Sequence, residues 1–329
     1  MGVLKARKSS RWAKSHANKD KLNLSFDVVC VGRPAKDTII TGKIFNPVCS
    51  HGTCYEHIPL GSKLPIETLR NEFGGNALNA SVTFARQNLN CAFLTQLGTD
   101  SISDDVIRIL EEENISRQLI LTDESVELAQ STIIVSTTGE RSVLAYPGSE
   151  IKTQELLKEL EEVETRWIYI SSTNSLDLLE SVIQFAKLNQ IKVAFNPGGI
   201  ELENIELIRS LIPDVEVLVL NKQEASLLFG GSLDSVSLAR SGAKYAKICI
   251  VTDGPSGSFA NDGNVDYSEP ISENVDVIDR TGAGDAFASG VVSSLAWGNG
   301  LKESLKFGSK NSTSVVKFYG AHKGILKKV

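Results

Sequence analysis

A mainly parallel central α/β sheet flanked by helices is the fold class this sequence predicts, and three observations carry it. Short apolar runs rich in β-branched residues alternate with longer amphipathic segments, the rhythm of successive βαβ units covered on both faces. Two stretches break that rhythm with extended, helix-poor sequence. A chain of 329 residues with 41% hydrophobic content can also bury a large core, as one big α/β domain or two smaller ones.

In chain order, residues 28–32 read as the first central strand. Residues 37–73 carry turn residues and short extended pieces but no long helical pattern. A helix is expected over 77–87, a strand over 92–97 and a helix over 104–113. Residues 130–146 alternate about Thr138-Gly139 in the manner of a hairpin. The rhythm then resumes with strand 167–171, helix 176–187, strands 192–196 and 217–221, helix 235–243 and strand 247–252. No internal repeat or low-complexity run interrupts it.

Composition narrows the class. No apolar run approaches the roughly 18 residues a membrane span needs, and residues 1–21 lack the apolar centre of a signal peptide. A cytoplasmic protein with no membrane partner is expected. Five cysteines in a chain this long, without a secretory segment, are expected as reduced thiols. Lys5, Arg7, Lys8, Arg11, Lys14, Lys19 and Lys21 against Asp20 give residues 1–21 a net charge of +6, leaving −12 on the remainder of a chain whose total is −6. Residues 1–24 are therefore expected as a basic, disordered tail with almost no apolar surface to bury. The acidic body argues against nucleic acid as the main partner.

The most informative stretch is 275–287, V-D-V-I-D-R-T-G-A-G-D-A-F. Gly282 and Gly284 let the backbone bend so that several N–H groups converge, and a helix beginning near Asp285 adds its positive dipole end. Phosphate or developing negative charge fits such a place. A carboxylate there would repel a phosphate unless it takes a proton from the group attacking it, so the pattern suggests phosphoryl transfer to a hydroxyl. The plainer alternative is a tight loop with Asp285 as a helix cap.

D-x-T-G-A-G-D-A-F resembles the C-terminal signature of the ribokinase (PfkB-type) carbohydrate and nucleoside kinase family. Further resemblances follow in family order. Residues 27–32 with Asp37 look like the family's first strand and its substrate-binding aspartate. Gly74-Gly75-Asn76-Ala77-Leu78-Asn79 is similar to G-G-x-x-x-N, and Q-L-G-T-D at 96–100 to V-G-x-D. Asn221-Lys222-Gln223-Glu224 matches N-x-x-E, and Thr252, Gly254 and Gly257 resemble the nucleotide-side T-x-G-x-x-G. Each has a structural alternative: a helix-entry bend at Gly74 and Gly75, a capping box at Asn221 and Glu224, a closing turn at 252–257.

The resemblance implies a ribokinase-like kinase domain over 25–329 with a small β lid, built from about 37–73 and 126–148, and allows a homodimer through that lid. It also implies a mechanism. Asp37, Gly74, Gly75, Asn76 and Asn79 would hold a sugar or nucleoside with one hydroxyl facing Asp285, the general base that takes the hydroxyl proton as the hydroxyl oxygen attacks the γ-phosphate of ATP. Gly282, Ala283 and Gly284 would supply the anion hole, and Asn221, Glu224, Thr252, Gly254 and Gly257 the nucleotide side, with Glu224 organising Mg²⁺. Asp279 is the candidate for holding a monovalent cation such as K⁺. Arg280 replaces a small or apolar residue and either approaches the phosphates or faces solvent. The chain has neither a P-loop motif nor G-x-G-x-x-G in a strand-to-helix context. A sugar is the favoured substrate, a nucleoside the alternative. A non-catalytic sugar-binding regulator is the alternative of another class, and retention of Asp285 speaks against it.

One motif owes nothing to the resemblance. Cys49, His51, Cys54 and His57 read C-x-H-x-x-C-x-x-H, a ligand set for structural Zn²⁺. A free irregular loop, a local disulfide between the two cysteines, and a role in lining the pocket are the competing readings.

Overall fold

The computed structural model describes residues 24–50, 53–231, 234–273 and 275–328. From the N-terminal end come β1 (Leu24–Val31), β2 (Ala35–Thr41), β3 (Val48–Ser50), β4 (Thr53–Tyr55), β5 (Thr68–Gly74) and α1 (Asn76–Arg86). β6 (Cys91–Leu97), α2 (Ser101–Glu112), β7 (Ile120–Thr122), β8 (Ala129–Val135) and β9 (Arg141–Tyr146) follow. Then come α3 (Thr153–Glu161), β10 (Val163–Ser171), α4 (Leu176–Leu188), β11 (Lys192–Asn196), α5 (Gly199–Leu202), α6 (Ile205–Leu211) and β12 (Val217–Asn221). The last third holds α7 (Lys222–Phe229), α8 (Ser235–Gly242), β13 (Ile248–Thr252), β14 (Ser258–Asn261), β15 (Asp266–Glu269), α9 (Ala283–Ala296) and α10 (Leu301–Val315).

Nine strands form one sheet in the order β15-β14-β13-β12-β11-β10-β1-β6-β7. It is parallel from β7 to β13 and turns antiparallel at β14 and β15. The alternation of side chains along a strand explains the double burial: Val28 and Cys30 of β1 enter one apolar cluster with α1, α9 and α10, while Val29 and Val31 enter the other with α3, α4 and α8. A sheet covered on both faces needs apolar residues at successive positions, which is why its strands read as continuous runs. β6 next to β1 on one side and β10 on the other makes β1 a topological switch point, and in such sheets ligands bind beyond the strands' carboxyl ends.

The lid is a second sheet of order β5-β2-β8-β9, in which β2 pairs antiparallel with β5 and parallel with β8. The expected hairpin about Thr138-Gly139 is β8–β9. The sequence assigned no element to β7, α3, α5, α6, the antiparallel edge β14–β15, or α10, which packs along α9. Short edge strands and helices rich in Ser and Lys carry weak periodic signals.

Two expectations need correction. Cys49 and Cys54 face each other across the β3–β4 hairpin and are joined by a disulfide, so the cysteines are not all reduced thiols. Cys30, Cys91 and Cys249 are free and buried. The disulfide also removes both thiolates from the zinc set, because a sulfur bonded to its partner does not ligate as thiolate. His57 is exposed beside Tyr55, with ring centroids 6.5 Å apart. His51 and residues 1–23 of the expected tail 1–24 lie outside the described residues, and Leu24 begins β1. No group of three or more His, Cys, Asp or Glu able to hold a metal occurs among those described. No described helix is long and apolar enough to cross a membrane.

Candidate active site

Asp285 is the third residue of α9 and is 8% exposed. Burial pushes its carboxyl up to about 6, although a hydrogen bond from Asn79 pulls the other way. That bond runs from Asn79 Nδ2 to Asp285 Oδ2 at 2.7 Å. A carboxylate with its pKa just below neutrality is ionised yet still basic enough to accept a proton.

The turn ahead of α9 is held by Asp279. Its Oδ1 accepts from the Thr281 N–H at 2.9 Å and the Thr281 hydroxyl at 2.7 Å, and its Oδ2 from the Gly320 N–H at 3.0 Å. Burial alone would raise the Asp279 carboxyl; these donors reverse that and leave it below its ordinary value. Gly282 caps the helix with φ of 75°, and a Cβ there would come within 2.5 Å of the Ala321 Cβ. Glycine is required on both counts. Gly284 differs: its φ is not left-handed, and a Cβ would meet nothing within 4 Å. Its use is open space, not backbone freedom.

The first bond closing the helix is Ala286 N–H to Gly282 C=O at 2.8 Å, so the N–H groups of Gly284 and Asp285 have no helical partner. The Ala283 N–H turns inward to the Arg280 carbonyl at 3.2 Å. Of the expected triplet 282–284, Ala283 is thus turned away from the helix entry, and the Asp285 N–H joins that of Gly284 there. Arg280 itself is exposed.

Beside this entry lies a cleft of about 160 Å³. It brings together Thr252, Gly254 and Gly257 with Ala283 and Gly284. Ile271, Phe287, Ser309, Ser312 and Thr313 also line it and were not anticipated. Ser309, Ser312 and Thr313 share one face of α10 at helical spacing, the only signal that could have marked them.

On the acceptor side, Gly75 starts α1 with φ of 99°, and a Cβ there would strike the Arg33 carbonyl at 2.2 Å. Asn76 opens the helix and Asn79, 5% exposed, lies one turn on. Gly74 sits beside Asn79, an added Cβ being 3.4 Å from Asn79 Oδ1. Asp37 stands on β2 opposite Glu72 of β5 and Ser131 of β8. Burial holds Asp37 above its ordinary pKa, with Ser131 opposing. No direct bond joins Asp37 to the Asn79–Asp285 pair.

Asn221 and Glu224 form the capping box of α7, with Glu224 Oε2 accepting from the Asn221 N–H at 2.8 Å and Asn221 Oδ1 from the Glu224 N–H at 2.9 Å. The structural alternative for this motif is thus realised. Burial raises the Glu224 carboxyl, the Asn221 N–H opposes, and the charge of Asp285 raises it further, so the two carboxylates sense each other.

The protein thus has an open α/β sheet with a lid, a buried aspartate at a helix entry and a cleft beside it. The chain matches the pfkB family carbohydrate kinase pattern over residues 48–328; it belongs to that family and is an ATP-dependent kinase. The match begins after Asp37, so that residue rests on motif resemblance alone. Ribokinase of Staphylococcus aureus (strain COL) is 25% identical over 276 residues, covering 80% of this chain and 89% of that protein. The structure of Arabidopsis thaliana ribokinase complexed with ribose and ATP superposes with a TM-score of 0.77 at 19% identity, covering 92% of this chain and 96% of that one. Burkholderia thailandensis nucleoside kinase in complex with inosine superposes with a TM-score of 0.73 at 19% identity, covering 91% and 93%. At such identities the superpositions speak for the fold.

Proposed function

We infer that this kinase phosphorylates a hydroxyl of a small sugar, with Asp285 as general base. The observation that carries the reading is the buried Asp285 carboxylate, bonded to Asn79 at 2.7 Å and seated at the helix entry beside the cleft. The acceptor lies between β2 of the lid and α1, where Asp37 and Asn79 offer hydrogen-bond partners to its hydroxyls. Asp285 takes the hydroxyl proton as the oxygen attacks the γ-phosphate. The unpaired N–H groups of Gly284 and Asp285, with the α9 dipole, stabilise the charge on the transferred group. Thr252, Gly254 and Gly257 flank the nucleotide.

Mg²⁺ fits the residues present: Glu224 is a hard oxygen donor whose charge is opposed by burial and by Asp285, a strain that a divalent cation relieves. Bound there, the ion neutralises phosphate charge. A monovalent cation near Asp279 is supported by a second carboxylate, since the charge of Asp279 helps raise Glu72. The exposed apolar residues Leu69 and Leu144, on one face of the lid sheet, favour a homodimer through that sheet.

The sugar reading is tested by turnover with ATP on a panel of pentoses, hexoses and nucleosides. A higher kcat/KM for one sugar than for every nucleoside is expected. Preference for adenosine or inosine would replace the substrate class, and tight sugar binding without turnover would favour a regulator.

A further inference from the structure

The segment after α10 reaches back into the active site. Gly320 donates to Asp279, Ala321 packs on Gly282, and His322 Nε2 lies 2.7 Å from Asn79 Oδ1. A continuous line runs from His322 through the Asn79 amide to Asp285. Its polarity follows from chemistry. An ionised carboxylate only accepts, so the Asn79 NH₂ faces Asp285 and the Asn79 oxygen faces His322, which must then donate. Burial, reinforced by the Arg86 guanidinium, lowers His322 to about 4 while Glu113 opposes, so the ring is neutral and its single proton sits on Nε2.

The ring is held from behind as well. Arg86, in the last turn of α1, donates from Nη1 to the His322 carbonyl at 2.5 Å and to the Ile325 carbonyl at 3.1 Å. Its other face forms a fork on Glu113, with Nε at 2.8 Å and Nη2 at 2.6 Å. The helix that presents Asn79 therefore also carries the residue that fixes its partner. We propose that His322 is a positioning residue for phosphoryl transfer, locking the Asn79 amide so that Asp285 is aimed at the acceptor hydroxyl. The proposal rests on the reading of Asp285 as base.

The test compares His322→Leu, His322→Gln and His322→Glu with Asp285→Asn, using thermal melts, kcat and KM for ATP. Leucine removes the donor; glutamine restores an N–H donor; glutamate has the shape of glutamine but presents an acceptor. Loss of one aligned hydrogen bond should lower kcat about tenfold in the Leu and Glu variants, with KM for ATP within about twofold. Glutamine should recover most of the loss. If the Leu variant does not fold, the Gln and Glu pair carries the same comparison. Equal kcat for Gln and Glu, or a parent-like Leu variant while Asp285→Asn is inactive, overturns the proposal but leaves the base reading standing. A fully active Asp285→Asn protein would overturn the base reading itself.

Discussion

Asp285→Asn should make the protein less active and more stable at once. The folded-state pKa of Asp285 is raised to about 6 from 3.8. The native protein then holds a proton that the unfolded chain releases between those values. Its contribution to stability is present below the unfolded pKa and is lost as pH rises through about 6. At neutral pH the buried charge is a net cost, at 1.36 kcal/mol per unit up to about 3 kcal/mol. Asparagine carries no charge and can still accept from Asn79 Nδ2. The variant should gain about 1–3 kcal/mol at neutral pH, a rise of roughly 2–4 °C in Tm for a chain this size. The gain should vanish near pH 4. Turnover should fall by about 10²- to 10⁴-fold through loss of the base. Calorimetry at both pH values and an ADP-release assay read the two effects. Turnover within a few-fold of the parent, or a large loss of stability accompanying the loss of activity, would refute the reasoning.

Because Asp285 works ionised, kcat/KM should fall as pH drops through about 6, a limb to be checked with an acceptor that does not titrate there. Gly284→Val leaves the backbone unstrained but places its branches in the cleft, so a folded variant should lose ATP use more than stability; unchanged KM for ATP would contradict the cradle. Gly282→Ala must adopt φ of 75° and push against Ala321, and a melt should show a loss of about 1–3 kcal/mol.

The central fold was legible because parallel strands buried on both faces leave continuous apolar runs, as in β10 and β12. The glycine turn was legible because a helix entry of this kind needs Gly282, and residues 252–257 because their glycines line the cleft with Gly284. The reading gave Gly284 the wrong reason, since the sequence does not distinguish glycine needed for φ from glycine needed for space. It left Cys49 and Cys54 between zinc ligands and a local disulfide, because spacing alone cannot separate a cross-strand disulfide from a metal loop. His322 was invisible for another cause. It lies 243 residues from Asn79, and a lone histidine in G-A-H-K-G follows no periodicity. Only the return of the chain after α10 brings it to the site.

The destination of the γ-phosphate is the most direct test of phosphoryl transfer to a hydroxyl. Phosphorus NMR of a reaction containing ATP and the preferred acceptor, run with the parent and with Asp285→Asn, follows the transfer directly. ADP and a phosphomonoester on the acceptor's hydroxyl are expected in equal amounts, strongly reduced in the variant. ADP with free phosphate and no acceptor ester, or the same ester formed at the same rate by the variant, would contradict that expectation.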